Sequence, residues 1–545
     1  MPIKVLFPAL ILLLFSSCYQ GETADLIIHN AQIYSCDEEF SIFEAMAIKD
    51  GKIIQLGPER EILNGYDCDN IVDAQMRPIY PGFQDGHCHF LAYAQTLAEV
   101  DLTRSKSFDE VIERIEKYAE TNESEWIEGR GWDQTLWASD SFPTNSKLNE
   151  LFPTTPILIR RVDGHAALAN AKALEISGIT PETKIEGGFI GVENGILTGL
   201  LLDNAYSKVA SYIPSWTPKK KLDYLKKAEY TLFEAGLTSI NDAGINAADR
   251  ELFIEWYGKN ELKIKSYAML FPESENMAFA TKNGIYKKDN LHIRSFKIIA
   301  DGALGSRGAC LLEPYSDEHG HYGLMLVDTT SLLEIARLAK EIGYQINTHC
   351  IGDSANHSLL NIYAQVIQDV EDHRWKIEHA QVLSPADFEF FQTIRILPSV
   401  QPTHCTSDIR WAEKRLGSER IKYAYAYQTL LKKAGKIVLG TDFPIENISP
   451  IETFYAAITR MDKNGSPTGG FYPEEKLSRK DALLGMTKWV AFSNFEEHEK
   501  GSLVPGKAAD FVMLTKDIMT IEEKEILTTF VVKTYLNGQL VFDGE

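Results

Sequence analysis

Cysteine is sparse in this chain and nowhere forms a C-x-x-C pair: seven occur in 545 residues. Paired-thiolate motifs are thereby excluded, and a chain of this size needs no disulfide framework. Basic residues are also in short supply, 55 Lys and Arg against 77 Asp and Glu, a formal net charge of −22. A surface with that excess of acid does not neutralise phosphates, which argues against nucleic acid as a partner. No apolar run reaches the ~20 residues of a comfortable membrane span. Repeats and low-complexity tracts are missing too. What is present is an ordinary globular composition, 44% apolar and 24% charged, long enough for a large central domain and a satellite.

The longest early apolar run, Val5 to Phe15, follows Lys4 and precedes Ser16-Ser17-Cys18. Its length suits the h-region of a secretory signal over residues 1–18. Small residues before a cysteine resemble a bacterial lipobox, although Phe15 departs from the usual Leu; an ordinary signal peptide or an uncleaved anchor stays open. The expectation is an exported lipoprotein facing the periplasm or cell surface, held to the membrane if Cys18 is acylated, with 19–24 as a polar tether.

Residues 25–80 read as short strands with an Asp50-Gly51 turn, and 497–545 repeat that grammar with a hairpin at Asn537-Gly538. Two β-rich ends predict one small β-sandwich built from both. Between them, over 81–496, candidate strands fall at 79–87, 236–241, 263–269, 295–299, 344–349, 375–379, 396–402 and 437–442. Helical spacing, clearest at Tyr224 to Ala235 and Ser331 to Ile342, separates most of them. Eight strands alternating with helices predict an α/β fold, a (β/α)₈ TIM-type barrel. Roughly 140 residues between the first two strands exceed one crossover. They predict an inserted lobe, about 95–225, over the barrel mouth.

Polar residues end these apolar runs at telling places. His87 and His89, in Pro81-Gly82-Phe83-Gln84-Asp85-Gly86-His87-Cys88-His89, are two apart, so an extended strand presents both on one face. Lys297, His349, His379 and Asp442 close similar contexts downstream. Several metal-ligand types at strand ends predict a hydrolytic metal site on the barrel's C-terminal face. His87, His89 and Asp442 would hold one ion, and His349 and His379 a second. Imidazole and carboxylate favour zinc, with manganese, iron or nickel as alternatives. Cys88, Cys350 and Cys405 adjoin these histidines and read as small buried hydrophobes rather than thiolate ligands. Asp442 is the expected base, taking a proton from the attacking water and passing it to the leaving group. His404, read as ending the seventh strand, is a candidate catalytic group by its position; His165, in the lobe, is a second candidate, to polarise a carbonyl or grip substrate over the metals, with a satisfied structural histidine as the alternative. Asp301 and Arg307 are placed to orient Lys297 or bind an anion, and Trp132 either packs the lobe or walls a pocket.

These motifs, with Asp163-Gly164-His165, Ala300-Asp301-Gly302-Ala303-Leu304-Gly305-Ser306-Arg307, Asn347-Thr348-His349, Glu378-His379-Ala380, Gln401-Pro402-Thr403-His404, Gly440-Thr441-Asp442 and Gly501-Ser502-Leu503, together resemble the amidohydrolase superfamily. The likeness is to family 3, in the branch with N-substituted formamide deformylases, and runs from about residue 25 to the end. It implies that Lys297 can be carboxylated to an anionic bridging carbamate, which needs the neutral amine that burial favours. A structural lysine beside a single ion is the alternative.

The expected activity is hydrolysis of a non-peptide C–N bond, in an amide, formamide or cyclic amide, by a metal-activated hydroxide. The partner is a small molecule. Esters, lactones or phosphoesters on the same fold form a second reading, and a non-catalytic surface receptor a third. Dimers are the commonest soluble oligomers, so a homodimer is the default assembly.

Overall fold

In the computed structural model, residues 22–122, 125–139, 141–162 and 164–545 are described. The signal-like segment with Cys18 and the start of the 19–24 stretch lie outside the described residues, as does Asp163. Among the described residues, no helix is long and apolar enough to cross a membrane.

Eight parallel strands form the central barrel: β1 (Phe83–Cys88), β2 (Leu237–Ile245), β3 (Lys265–Leu270), β4 (Leu291–Ile299), β5 (Gln345–Cys350), β6 (Lys376–His379), β7 (Leu397–Val400) and β8 (Val438–Leu439). Each bonds to the next in chain order. The seam between β8 and β1 closes at its upper end, where Asp442 N–H donates to His87 O at 2.7 Å and His89 N–H to Phe443 O at 2.9 Å. Only glycine allows so close an approach: a Cβ on Gly86 would stand 2.3 Å from Val438 Cγ1, and one on Gly440 2.5 Å from His87 N.

The run at 79–87 is two strands rather than one. Pro78–Pro81 pairs with Phe511–Leu514 and Gln32–Tyr34 in a six-stranded sheet, while Phe83–Cys88 enters the barrel. Pro81 cannot donate to a continuing ladder, and Gly82 lets the chain pass over Thr238, whose Oγ1 would meet a Cβ at 2.3 Å. A four-stranded sheet of Lys52–Gly57, Ala45–Lys49, Leu26–His29 and Ile71–Asp73 shares a core with it, including Ile28, Ile33, Met46, Ile79, Phe511 and Met513. Both ends of the chain thus contribute strands around one apolar layer.

Helix Pro218–Glu234 begins earlier than its apolar spacing indicates, because Thr217 caps it by accepting from Lys220 N–H and Pro218 fits the first turn. It buries Leu225, Ala228, Leu232 and Phe233. Helix Thr329–Ile342 likewise starts at a cap, Asp328.

The residues between β1 and that helix carry their own six-stranded sheet, from Val100–Asp101 to Ile196–Asp203. Trp132 settles its role here: it is fully buried among Leu102, Ile115, Ile157 and Leu168, and its indole N–H donates to Ile159 O at 3.1 Å. Truncating such a side chain to alanine costs about 3–5 kcal/mol. It holds the lobe together.

Candidate metal centre

His87 lies in β1, and its ring is wholly buried. Its Nδ1 lies 2.6 Å from Glu378 Oε2, so the ring donates there and turns its Nε2 lone pair inward. That Nε2 stands 2.9 Å from Lys297 Nζ and 3.6 Å from Asp442 Oδ1. His89 falls just past the strand, still extended, and places Nε2 3.1 Å from the same Asp442 oxygen. His379, the last residue of β6, donates through Nδ1 to Gln401 Oε1 at 2.7 Å. The His349 ring packs 4.5 Å from that of His379, centroid to centroid.

His404 stands in the first turn of helix Pro402–Arg420 and not at the end of β7. Pro402 starts that helix, since a proline fits its first turn and interrupts a strand. His404 still reaches the centre, with Nε2 3.7 Å from Asp442 Oδ2. Two sets of ligand atoms therefore converge, His87 with His89 and Asp442, and His379 with His404 and Asp442, each within 4.8 Å. Asp442 belongs to both. His165 occupies the lobe, exposed, with Nδ1 2.9 Å from Asp203 Oδ1.

The backbone is bent to this purpose. His379, Ala380 and Asp442 adopt φ of 73°, 42° and 61°, a left-handed region that costs non-glycine residues about 1 kcal/mol each. At His379 this breaks the strand alternation, so consecutive Glu378 and His379 both reach His87. Alternation would have sent Glu378 away from the centre, and the sequence reading gave it no role. Gln401, which orients His379, was also passed over. So was Asp85, whose carboxylate accepts from His87 N–H, Thr441 N–H and Thr441 Oγ1, tying the first ligand strand to the Asp442 loop. All three sit inside the quoted motifs, beside the ligands.

Burial, reinforced by Lys297, pushes His87 down to about 4 and His349 down to about 3. Burial also takes His379 well below the usual imidazole range, with His349 adding to it. These rings are neutral at pH 7 and offer lone pairs. Burial lowers Lys297 to about 8, which makes a neutral amine accessible. Burial alone would raise Asp442, but His89 at its oxygen and the neighbouring His87, His379 and His404 hold it well below the carboxylate range. Lys376 and His87 overcome burial in the same way at Glu378. His349 Nε2 and His404 Nε2 are buried without a hydrogen-bond partner. Neutral imidazoles crowded around one carboxylate, with unpaired nitrogens, suit a divalent cation.

The other candidates have other duties. Asp301 accepts backbone N–H groups from Cys310, Ile351 and Gly352, fastening the loop after β4. Arg307 pairs with Asp317 and Glu318 at the surface. Cys88, Cys350 and Cys405 are free and buried.

Histidines, a lysine and an aspartate on the C-terminal rim of an eight-stranded α/β barrel define a metal-dependent hydrolase. The chain belongs to the amidohydrolase family, whose model matches residues 70–542. It is 30% identical over 542 residues to "Protein LONG AFTER FAR-RED 3" of Arabidopsis thaliana, covering 96% of this chain and 92% of that one. It is 24% identical to the N-substituted formamide deformylase of Arthrobacter pascens, with 95% and 98% covered. A crystal structure of an uncharacterized metal-dependent hydrolase from Pyrococcus horikoshii OT3 superposes with a TM-score of 0.77 at 27% identity, over 91% of this chain and 99% of that one.

Proposed function

We propose that this enzyme hydrolyses a non-peptide C–N bond in an amide, formamide or cyclic amide. The observation that carries the reading is Asp442, a carboxylate shared by two groups of histidines. The likeness to a formamide deformylase supports the C–N bond as the target. Zinc is the proposed metal: His87, His89 and Asp442 would hold one ion and His349 and His379 a second, with a carboxylated Lys297 as a further anionic ligand. When bound, such an ion supplies Lewis acidity, acidifying a water and polarising a carbonyl.

The protein's own groups do the rest. Asp442, ionised at neutral pH, accepts the proton of the attacking water and returns it to the departing nitrogen. His404, its Nε2 free and facing the Asp442 carboxylate, steadies the carbonyl oxygen as charge develops there. His165 grips the substrate from the lobe. Glu378 and Gln401 fix the tautomers of His87 and His379. The proposal also covers export, acylation at Cys18 and a homodimer.

The test is a panel of N-formyl, N-acyl and cyclic amides, with matching esters and lactones, offered to zinc- and manganese-loaded protein. Amide turnover is expected. Turnover confined to esters would replace the C–N reading with the ester one, and a protein that holds no metal would end both.

A further inference from the structure

A cavity of about 230 Å³ has His89, a residue of the candidate metal centre, in its wall. It lies between helix Phe90–Thr96, which follows β1, and helix Ala247–Gly258, which follows β2. Asp242, in β2, forms its deep wall and is 3% exposed. Its Oδ1 accepts from Phe90 N–H at 3.0 Å, while Oδ2 is buried with no hydrogen-bond partner. An unpaired carboxylate oxygen at that depth is unfavourable, because its lost hydration is not replaced.

Two of the other polar walls, Asp249 and Asn246, are already engaged. Asp249 pairs with Lys221 at 2.5 Å and accepts from Asn246 Nδ2 at 2.7 Å. The remaining lining includes Phe253, Leu91 and Ile245. A chamber with an apolar face of Phe253, Leu91 and Ile245 and one unspent anionic acceptor matches an apolar body that carries a charged N–H donor.

We infer that this cavity is a subsite for a protonated amine, with Asp242 Oδ2 accepting from the ammonium while Phe253 and Leu91 contact the carbon skeleton. The inference rests on the hydrolase reading, which it deepens: the substrate carries a cationic amine in addition to the bond that is cut, and that arm lies on the β1–β2 side of the metals.

The probe is benzylamine, protonated at pH 7, against its neutral counterpart benzyl alcohol, titrated calorimetrically into full-length metal-loaded protein. Benzylamine should bind one per chain, about ten-fold or more tighter than the alcohol, as a charge-assisted hydrogen bond requires. Asp242→Asn keeps an acceptor for Phe90 N–H and should lose that ten-fold preference with its metal content unchanged. Full-length protein stripped of metal by a chelator should keep the preference, which separates this subsite from coordination at the metals. Equal binding of the two probes to the wild type, or an unaltered preference in Asp242→Asn, overturns the inference; the wild-type comparison stands even if the variant does not fold. Absence of amide turnover alongside intact benzylamine selectivity would sink the C–N reading and leave the amine site.

Discussion

The two ends of the barrel hold the same kinds of buried side chain and use them in opposite ways. At the N-terminal end, His292 Nδ1 lies 3.1 Å from Glu496 Oε1, whose other oxygen is 2.8 Å from Lys500 Nζ. Lys500 also donates to Ser239 Oγ at 2.6 Å, and Lys265 is divided between Asp510 and Asn537. Each charge there meets its complement. At the C-terminal rim, imidazoles face imidazoles, Lys297 points at a histidine lone pair, and two histidine nitrogens lack partners. The lower network balances its charges within the protein and acts as a staple. The upper one is completed by a cation. Residue type does not distinguish the two; the sign of what each group faces does.

The sharpest way to break this contrast is Asp442→Asn. It should lower turnover by about 10²–10⁴-fold while much of the metal remains, read by steady-state kinetics beside elemental analysis. Full activity in that variant would remove the base from the mechanism. Glu496→Gln at the other end should do the reverse. Leaving Lys500 and His292 short of their counter-charge should cost about 3 kcal/mol in denaturant unfolding, with turnover per bound ion unchanged. Equal losses of turnover at both ends would erase the distinction.

Glu378→Gln sharpens the comparison, because Glu378 joins Lys376, 3.3 Å away, to a ligand histidine. Metal affinity, measured by chelator competition, should fall by about 10–100-fold. The smallest effect is in pH. Burial lowers Lys297 to about 8 in the fold, against the ordinary lysine value of 10.5. Between these values the unfolded chain binds the extra proton, so metal-free protein should gain stability as pH rises from about 8 toward 10.5. The penalty is complete below the lower value. Lys297→Met should flatten that rise, and an unchanged slope would show the lysine to be already neutral or modified.

The barrel and its ligands were legible because each stands where an apolar, β-branched run gives way to one polar residue. His87, Lys297, His349 and His379 needed only strand periodicity to be found. Glu378 escaped it, because the left-handed turn at His379 suspends the alternation on which that reasoning depends. His404 was found from its neighbours and assigned the wrong element, since Pro402 opens a helix. Asp242 was lost at a boundary: the strand seemed to end at Asn241, yet pairing with β3 carries it through Asp242 and Gly244 to Ile245. Local preference for a turn yields there to the tertiary ladder.

The hydrogen bonds from Asp442 to His87 and from His89 to Phe443 do more than seal the ring. They join the first barrel strand to the last, so a growing polypeptide carries most of the clustered histidines for a long time without Asp442. Chemical competence arrives together with closure. A chain halted or clipped ahead of the final strand is therefore silent as well as open, and the cell meets the active hydrolase only as a finished object.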